Sequence, residues 1–155
     1  MTMQLNPEAR PARAGLRHYT AVKDMTAEET LGVLELASAL KQDQKAGRPH
    51  PRLAGKTLAM IFQKPSLRTR VSFEAGMTQL GGHAIYLGPD DIKLGQRETT
   101  EDIAIVLARM ADVIMARVFA HVIVEELARF STVPVINGLS DHEHPCQILG
   151  DLLTI

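Results

Sequence analysis

The sequence predicts an α/β protein: a three-layer α/β/α domain around a four-stranded parallel sheet. Two observations predict it. Short apolar runs of strand length alternate with longer segments of helical period, in the order helix, then strand and helix four times over. Turn and capping residues fall at the joins, so most segments have a readable start or stop. Such alternation places helices on both faces of a parallel sheet, and ligands then bind beyond the carboxyl ends of the strands.

Each element has its own signal. Thr26 with Glu29 three residues on is a capping box, and Leu31, Leu34, Ala37 and Leu40 recur at helical spacing, predicting a helix over Ala27–Lys45. After the loop GRPHPRLAG, the run Lys56–Phe62 is a buried strand. A helix over Thr69–Leu80 stops at Gly81-Gly82, and His83–Leu87 forms the second strand. GPDDIKLGQRE, residues 88–98, is a polar loop without periodicity. Thr99 with Asp102 caps a helix over Thr100–Met110 that faces inward through Ile103, Val106, Leu107 and Met110. ADVIMA is the third strand, His121–Phe130 a helix, and Val133–Ile136 the fourth strand. A last helix begins near Pro145, a residue suited to a first helical position. No internal repeat or low-complexity tract interrupts this order.

The bulk properties narrow the function. A chain of 155 residues makes one core-forming domain, here residues 25–155 behind a polar extension over residues 1–24. A net charge of −1 supplies no global field for nucleic acid or acidic membranes, so any anion binding needs a local cluster. No apolar stretch approaches the ~20 residues of a membrane span. The start has three arginines but no apolar h-region, so it reads as a frayed extension rather than a signal peptide, with a short basic transit segment as the alternative. One cysteine, Cys146, fits a reducing compartment, and the expectation is a cytoplasmic protein.

One junction concentrates chemistry. FQKPSLRTRVSFE, residues 62–74, passes from a strand through Pro-Ser into a helix carrying Arg68, Thr69 and Arg70. A helix N-terminus exposes unpaired N–H groups and partial positive charge, which makes it a potential anion site. Ser66 can cap the helix or donate to a phosphate oxygen, Thr69 adds a hydroxyl, and Arg68 offers a planar fork of donors. Arg70 lies about 200° around the helix from Arg68 and pairs more naturally with Glu74. A capped helix with solvated arginines fits the same residues. Neither GxxxxGK[ST] nor GxGxxG occurs. Three further stretches fall at strand ends: the 88–98 loop, ARVF and NGLSDHEHPCQ.

The junction resembles the F-x-K-x-S-T-R-T-R-x-S-F-E signature of ornithine carbamoyltransferases. The resemblance continues through GGHAIYL, ETTEDIAIVLARMADVIMARVF and VPVINGLSDHEHPCQILGDLLTI, from about Leu53 to Ile155, with a weaker echo in the first helix. It implies the carbamoyl-phosphate-binding domain of a two-domain enzyme whose second domain binds the amino acid. It also implies carbamoyl transfer to the δ-amine of ornithine, with no metal and no cofactor.

The roles implied by that resemblance attach to individual positions. Ser66, Leu67, Arg68 and Thr69 wrap the phosphate, Arg117 touches phosphate and carbamoyl oxygen, and His144 and Gln147 hold the carbamoyl group. Arg117, His144 and Thr69 are then the catalytic donors. The family's second residue in Ser-Thr-Arg-Thr is here Leu67, so a hydroxyl is missing and weaker phosphate binding is expected. Members similar to this one form trimers in which the loop matching residues 88–98 reaches a neighbour's site, so Lys93 or Arg97 would act in trans. A solvated loop is the plain alternative.

Other constellations compete less well. His142, His144 and Cys146 alternate as zinc ligands could, yet a helix starting at Pro145 would splay the last two. Cys146 reads as an ordinary buried thiol rather than a nucleophile, and His121 as a polar residue at a helix start. Met110 and Met115 read as core packing. The sister enzyme acting on aspartate or another amine, and a non-catalytic anion-binding or trimerisation module, remain as alternative functions.

Overall fold

The computed structural model describes residues 15–92 and 98–155. A 3-10 turn at Val22–Asp24 leads into α1 (Ala27–Lys45), followed by β1 (Thr57–Phe62), α2 (Leu67–Gln79), β2 (His83–Leu87) and α3 (Thr100–Leu107). Then come β3 (Val113–Arg117), α4 (His121–Phe130), β4 (Val135–Leu139) and α5 (Pro145–Leu152). The strands form one parallel sheet in the order β2-β1-β3-β4. From β1 the chain moves outward to β2, and from β3 it moves the opposite way to β4. The winding direction therefore reverses between β1 and β3, where Phe62 lies in register with Arg117. A crevice for a ligand opens at such a switch point.

Both faces of β1 are covered, which is why its sequence is a nearly unbroken apolar run. Leu58, Met60 and Phe62 pack with Met115 and with Phe73 and Met77 of α2. Ile61 joins Ile114, Ala116 and Val135 against Ile103 and Ala104 of α3 and Val124 and Leu127 of α4. Helices thus cover opposite faces, giving the three expected layers. Fully burying a side chain such as Phe62 or Met60 contributes about 1.5–3 kcal/mol, and both are essentially inaccessible. α5 packs on β4 and touches α1.

The caps follow the residues that predicted them. Thr26 accepts from Glu29 N at 3.2 Å, and Glu29 accepts in return from Thr26 N at 2.8 Å. Hydrogen bonding to Arg17, then to Thr26, holds the Glu29 carboxyl down to about 2. Asp102 N donates to Thr99 Oγ1 at 3.1 Å. Just past the end of α2, Gly81 has a φ of +80° that suits glycine, and Gly82 N reaches back to Met77 O at 2.8 Å. Arg70 pairs with Glu74 at 2.9 Å and lies 3.9 Å from the Tyr86 ring centroid, away from the phosphate role.

Beyond shifts of one or two residues at other ends, such as α2 starting at Leu67 instead of Thr69, four larger details differ from expectation. β4 starts two residues later than the expected Val133–Ile136 and ends three later, and it includes Asn137, a buried polar residue that ended the apolar pattern early. α3 stops at Leu107, and past Ala108 the chain tightens, with Arg109 N bonding three residues back to Val106 O and Met110 N to Leu107 O. Met110 in that tightened turn is 75% exposed, and Val106 within the helix is 48% exposed, so neither packs inward as expected. No residue of α1 is fully buried, and Leu31 of its apolar stripe is exposed. Finally, part of the polar extension is built onto the sheet. Tyr19 forms a parallel bridge with Ile136, with Tyr19 N donating to Val135 O and Asn137 N donating to Tyr19 O, both at 2.8 Å. This segment covers backbone groups at the edge of β4 that would otherwise lie open.

Candidate functional site

The β1–α2 junction and the end of β3 meet at the switch point. Ser66 takes extended backbone angles as the N-cap of α2, and its Oγ accepts from Thr69 N at 3.3 Å. The same Oγ donates to Thr69 Oγ1 at 2.9 Å. From β3, Arg117 Nη1 donates to Thr69 Oγ1 at 3.3 Å. A hydroxyl has two acceptor lone pairs and one proton. Arg117 takes one lone pair of Thr69, and with Ser66 donating to the other the Thr69 proton is free to turn to a ligand.

Arg117 is the most informative group. Its Nε is buried without a hydrogen-bond partner, and no carboxylate pairs with it among the described residues. Burial lowers its pKa from the ordinary value, yet a guanidinium stays protonated in a protein. A half-buried cation with an idle donor is costly unless an anion arrives to satisfy it. The backbone marks this position: the β3–β4 register slips between Ala116 and Arg117, so the ladder is irregular at the residue that carries the guanidinium.

The β4–α5 loop adds His144, the N-cap of α5, whose Nδ1 accepts from Gln147 N at 3.3 Å. In the neutral ring this puts the proton on Nε2, leaving that N–H as a donor. Burial, then the charge of Arg117, lowers the His144 pKa below its ordinary value, with Asp151 opposing. Protonation is therefore disfavoured in the fold, and the stability this residue supplies is full above about pH 6.5 and falls as pH drops. An imidazole NMR titration should give a midpoint below about 6.5 that rises when Arg117 is replaced by alanine. A midpoint unmoved by that change would show that the two groups do not share a site.

The remaining expected residues are less closely engaged. Arg68 and Leu67 are exposed in the first turn of α2, and Arg68 makes no ion pair among the described residues. Gln147 turns its Nε2 to Asp151 Oδ1 at 2.8 Å. Lys93 and Arg97 lie outside the described residues. Two residues that contribute to the site's framework escaped sequence reasoning. Buried Asn137 donates to Thr20 O at 2.9 Å and to Ser140 Oγ and Glu143 O at 3.3 Å, bracing the loop that ends at His144. Gln63 links the β1–α2 and β3–α4 loops. A polar residue interrupting or ending an apolar strand was the available signal.

His142, His144 and Cys146 do not converge. His142 stacks on His121 at 5.0 Å between ring centroids, whereas Cys146 Sγ donates to Asn137 O at 3.4 Å. Burial pushes the Cys146 thiol up to about 11, the opposite of an activated nucleophile. His121 begins α4 and bonds Ser140 Oγ at 2.8 Å. A cavity of about 650 Å³ lies beside His121 and His142, lined also by Thr20, Lys23, Glu125 and Asp141. It includes none of Ser66, Thr69, Arg117 or His144.

A doubly wound sheet with a cation, a helix N-terminus and aligned hydroxyls at its switch point defines an anion-binding α/β domain. Comparison with known proteins gives the particular family. Residues 17–155 match the family profile described as aspartate/ornithine carbamoyltransferase, carbamoyl-P binding domain, and the chain belongs to that family. The anabolic ornithine carbamoyltransferase of Pyrococcus furiosus is 58% identical over 139 residues, covering 90% of this chain and 44% of that protein. The chloroplastic ornithine carbamoyltransferase of Pisum sativum is 52% identical, covering 91% of this chain and 38% of that protein. The solved P. furiosus structure superposes with a TM-score of 0.88 at 58% identity, covering 90% of this chain and 44% of that one. The catalytic subunit of M. jannaschii aspartate transcarbamoylase gives 0.83 at 34% identity, covering 90% and 46%. The chain spans under half the length of these relatives.

Proposed function

We propose that this chain binds carbamoyl phosphate and, within the whole enzyme, serves transfer of its carbamoyl group to the δ-amine of ornithine, yielding citrulline and phosphate for arginine biosynthesis. The observation that carries the reading is the idle, half-buried guanidinium of Arg117, hydrogen-bonded to Thr69 across the switch point. As the neutral amine attacks the carbamoyl carbon, negative charge grows on the carbonyl oxygen, the bond to phosphate breaks, and the proton the amine loses passes to the departing phosphate. Arg117, the Thr69 proton and His144 Nε2–H are the donors for that oxygen. Ser66, Arg68 and the first N–H groups of α2 stabilise the departing dianion. Gln147 reaches the carbamoyl group once its amide leaves Asp151. Fixed charge and positioning carry the step.

Ornithine is favoured over aspartate by the difference between 58% identity to the P. furiosus ornithine enzyme and 34% to the M. jannaschii aspartate enzyme. We further assign a homotrimer in the cytoplasm, supported by the family resemblance of the 88–98 loop and by the free thiol of Cys146. Lys93 and Arg97 are the cations proposed to act in trans.

Calorimetric titration of the chain with carbamoyl phosphate tests the reading. Saturable binding that weakens in Arg68→Ala is expected, without citrulline formation by this chain alone. Absence of binding by folded protein would instead support the non-catalytic module. Leu67 gives a second expected result. Its side chain is 77% exposed beside Ser66, so Leu67→Thr restores a hydroxyl without disturbing the core. A hydrogen bond to a charged group contributes about 1.5 kcal/mol at the low end, so affinity should rise about tenfold.

A further inference from the structure

We infer that Gln63 is a positioning residue for Arg117, acting through the amide of Phe119; the inference rests on the carbamoyl-phosphate reading. In a parallel ladder, one residue's N–H and C=O bond to two residues of the neighbouring strand that bracket its partner. Gln63 N donates to Arg117 O at 2.9 Å, as that pattern requires. The next bond is made differently: Phe119 N donates at 3.0 Å to the side-chain Oε1 of Gln63. The amide side chain takes the position of the main-chain carbonyl.

The substitution has a geometric purpose. After Phe62 the main chain must leave the sheet to reach Ser66 and start α2. Had the Gln63 carbonyl continued the ladder, the chain would have run on beside β3. With the side chain holding Phe119, the backbone can turn away while residues 117–119 stay tied to β1. The rest of that segment is also fixed, because Val118 N donates to Leu139 O at 2.9 Å and Asp141 N to Phe119 O at 2.8 Å. Lys64 reinforces the link from the same loop, its Nζ lying 4.5 Å from the centroid of the Phe119 ring. Arg117 stands at the register slip, directly before Val118 and Phe119, whose amides are held in this way. Its Nη1–Thr69 distance of 3.3 Å depends on how far apart the two loops sit. Gln63 sets that separation.

The test uses Gln63→Met, which keeps length without an equivalent acceptor, Gln63→Ala as a second truncation, and Gln63→Glu, which keeps an acceptor oxygen. Affinity for carbamoyl phosphate is read by calorimetry and exchange of the Phe119 amide by NMR. The truncations should weaken binding about tenfold and speed Phe119 exchange, whereas Gln63→Glu should stay within about threefold of the parent on both readouts. Wild-type affinity in the truncations would overturn the inference while leaving the carbamoyl-phosphate reading intact. Equal loss in Gln63→Glu would overturn the acceptor role. No binding by the parent chain would overturn the functional reading and this inference with it.

Discussion

Replacing Arg117 by alanine is expected to abolish measurable carbamoyl-phosphate binding without weakening the fold. The guanidinium donates to Thr69 and has an idle buried Nε, so a ligand oxygen can meet more than one of its N–H groups. Charge-assisted bonds of this type contribute about 1.5–3 kcal/mol each. Losing two costs at least about 3 kcal/mol, a hundredfold or more in affinity. Stability should move the other way. Among the described residues no carboxylate pairs with this partly desolvated cation, so its removal takes away a penalty rather than a bond of large net value. Thermal unfolding should therefore show an unchanged or raised midpoint. Arg117→Lys should recover only part of the affinity, since an ammonium lacks the planar fork. A strongly lowered midpoint in Arg117→Ala would mean that the residue serves the fold instead.

Asn137→Leu is expected to produce the largest loss of stability. The side chain is inaccessible to solvent, donates to Thr20 O at 2.9 Å, and accepts from Leu139 N at 3.0 Å. Leucine has similar bulk but leaves those groups without their partner, at about 1–3 kcal/mol for each group that stays unsatisfied. A total near 4 kcal/mol should lower the unfolding midpoint by roughly 10 °C in a domain of this size. Affinity should fall as well, because Asn137 also holds Glu143 O, one residue before His144. A midpoint within two degrees of the parent, checked by circular dichroism, would contradict this account of the loop.

Local signals made much of the fold legible. The Thr26 box, the Thr99 cap, Gly81-Gly82 and Pro145 each mark a physical event at one chain position, and each falls where the helix starts or stops. Readings that depended on the far side of the molecule fared less well. Nothing within α3 reveals that its last turn tightens and exposes Met110. Asn137 looks like a strand terminator until Thr20, more than a hundred residues away, supplies its acceptor. The N-terminal segment lacks a strand pattern because its bridge to β4 is a single residue, Tyr19. The candidate residues were legible by position, since Ser66, Thr69, Arg117 and His144 all fall in segments at or just after strand ends. Their linkage was not: Gln63 stands out as a polar residue ending an apolar strand, but nothing local says that its side chain reaches the amide of Phe119.

The most direct test is a crystal structure of the chain with carbamoyl phosphate bound. The phosphate should lie against Ser66, Arg68 and the first amides of α2. The carbamoyl oxygen should lie within hydrogen-bond reach of Arg117, Thr69 and His144, with the Arg117 Nε no longer unpartnered. A ligand seated elsewhere, for example in the cavity beside Thr20, His121 and His142, with Arg117 still idle, would contradict the account.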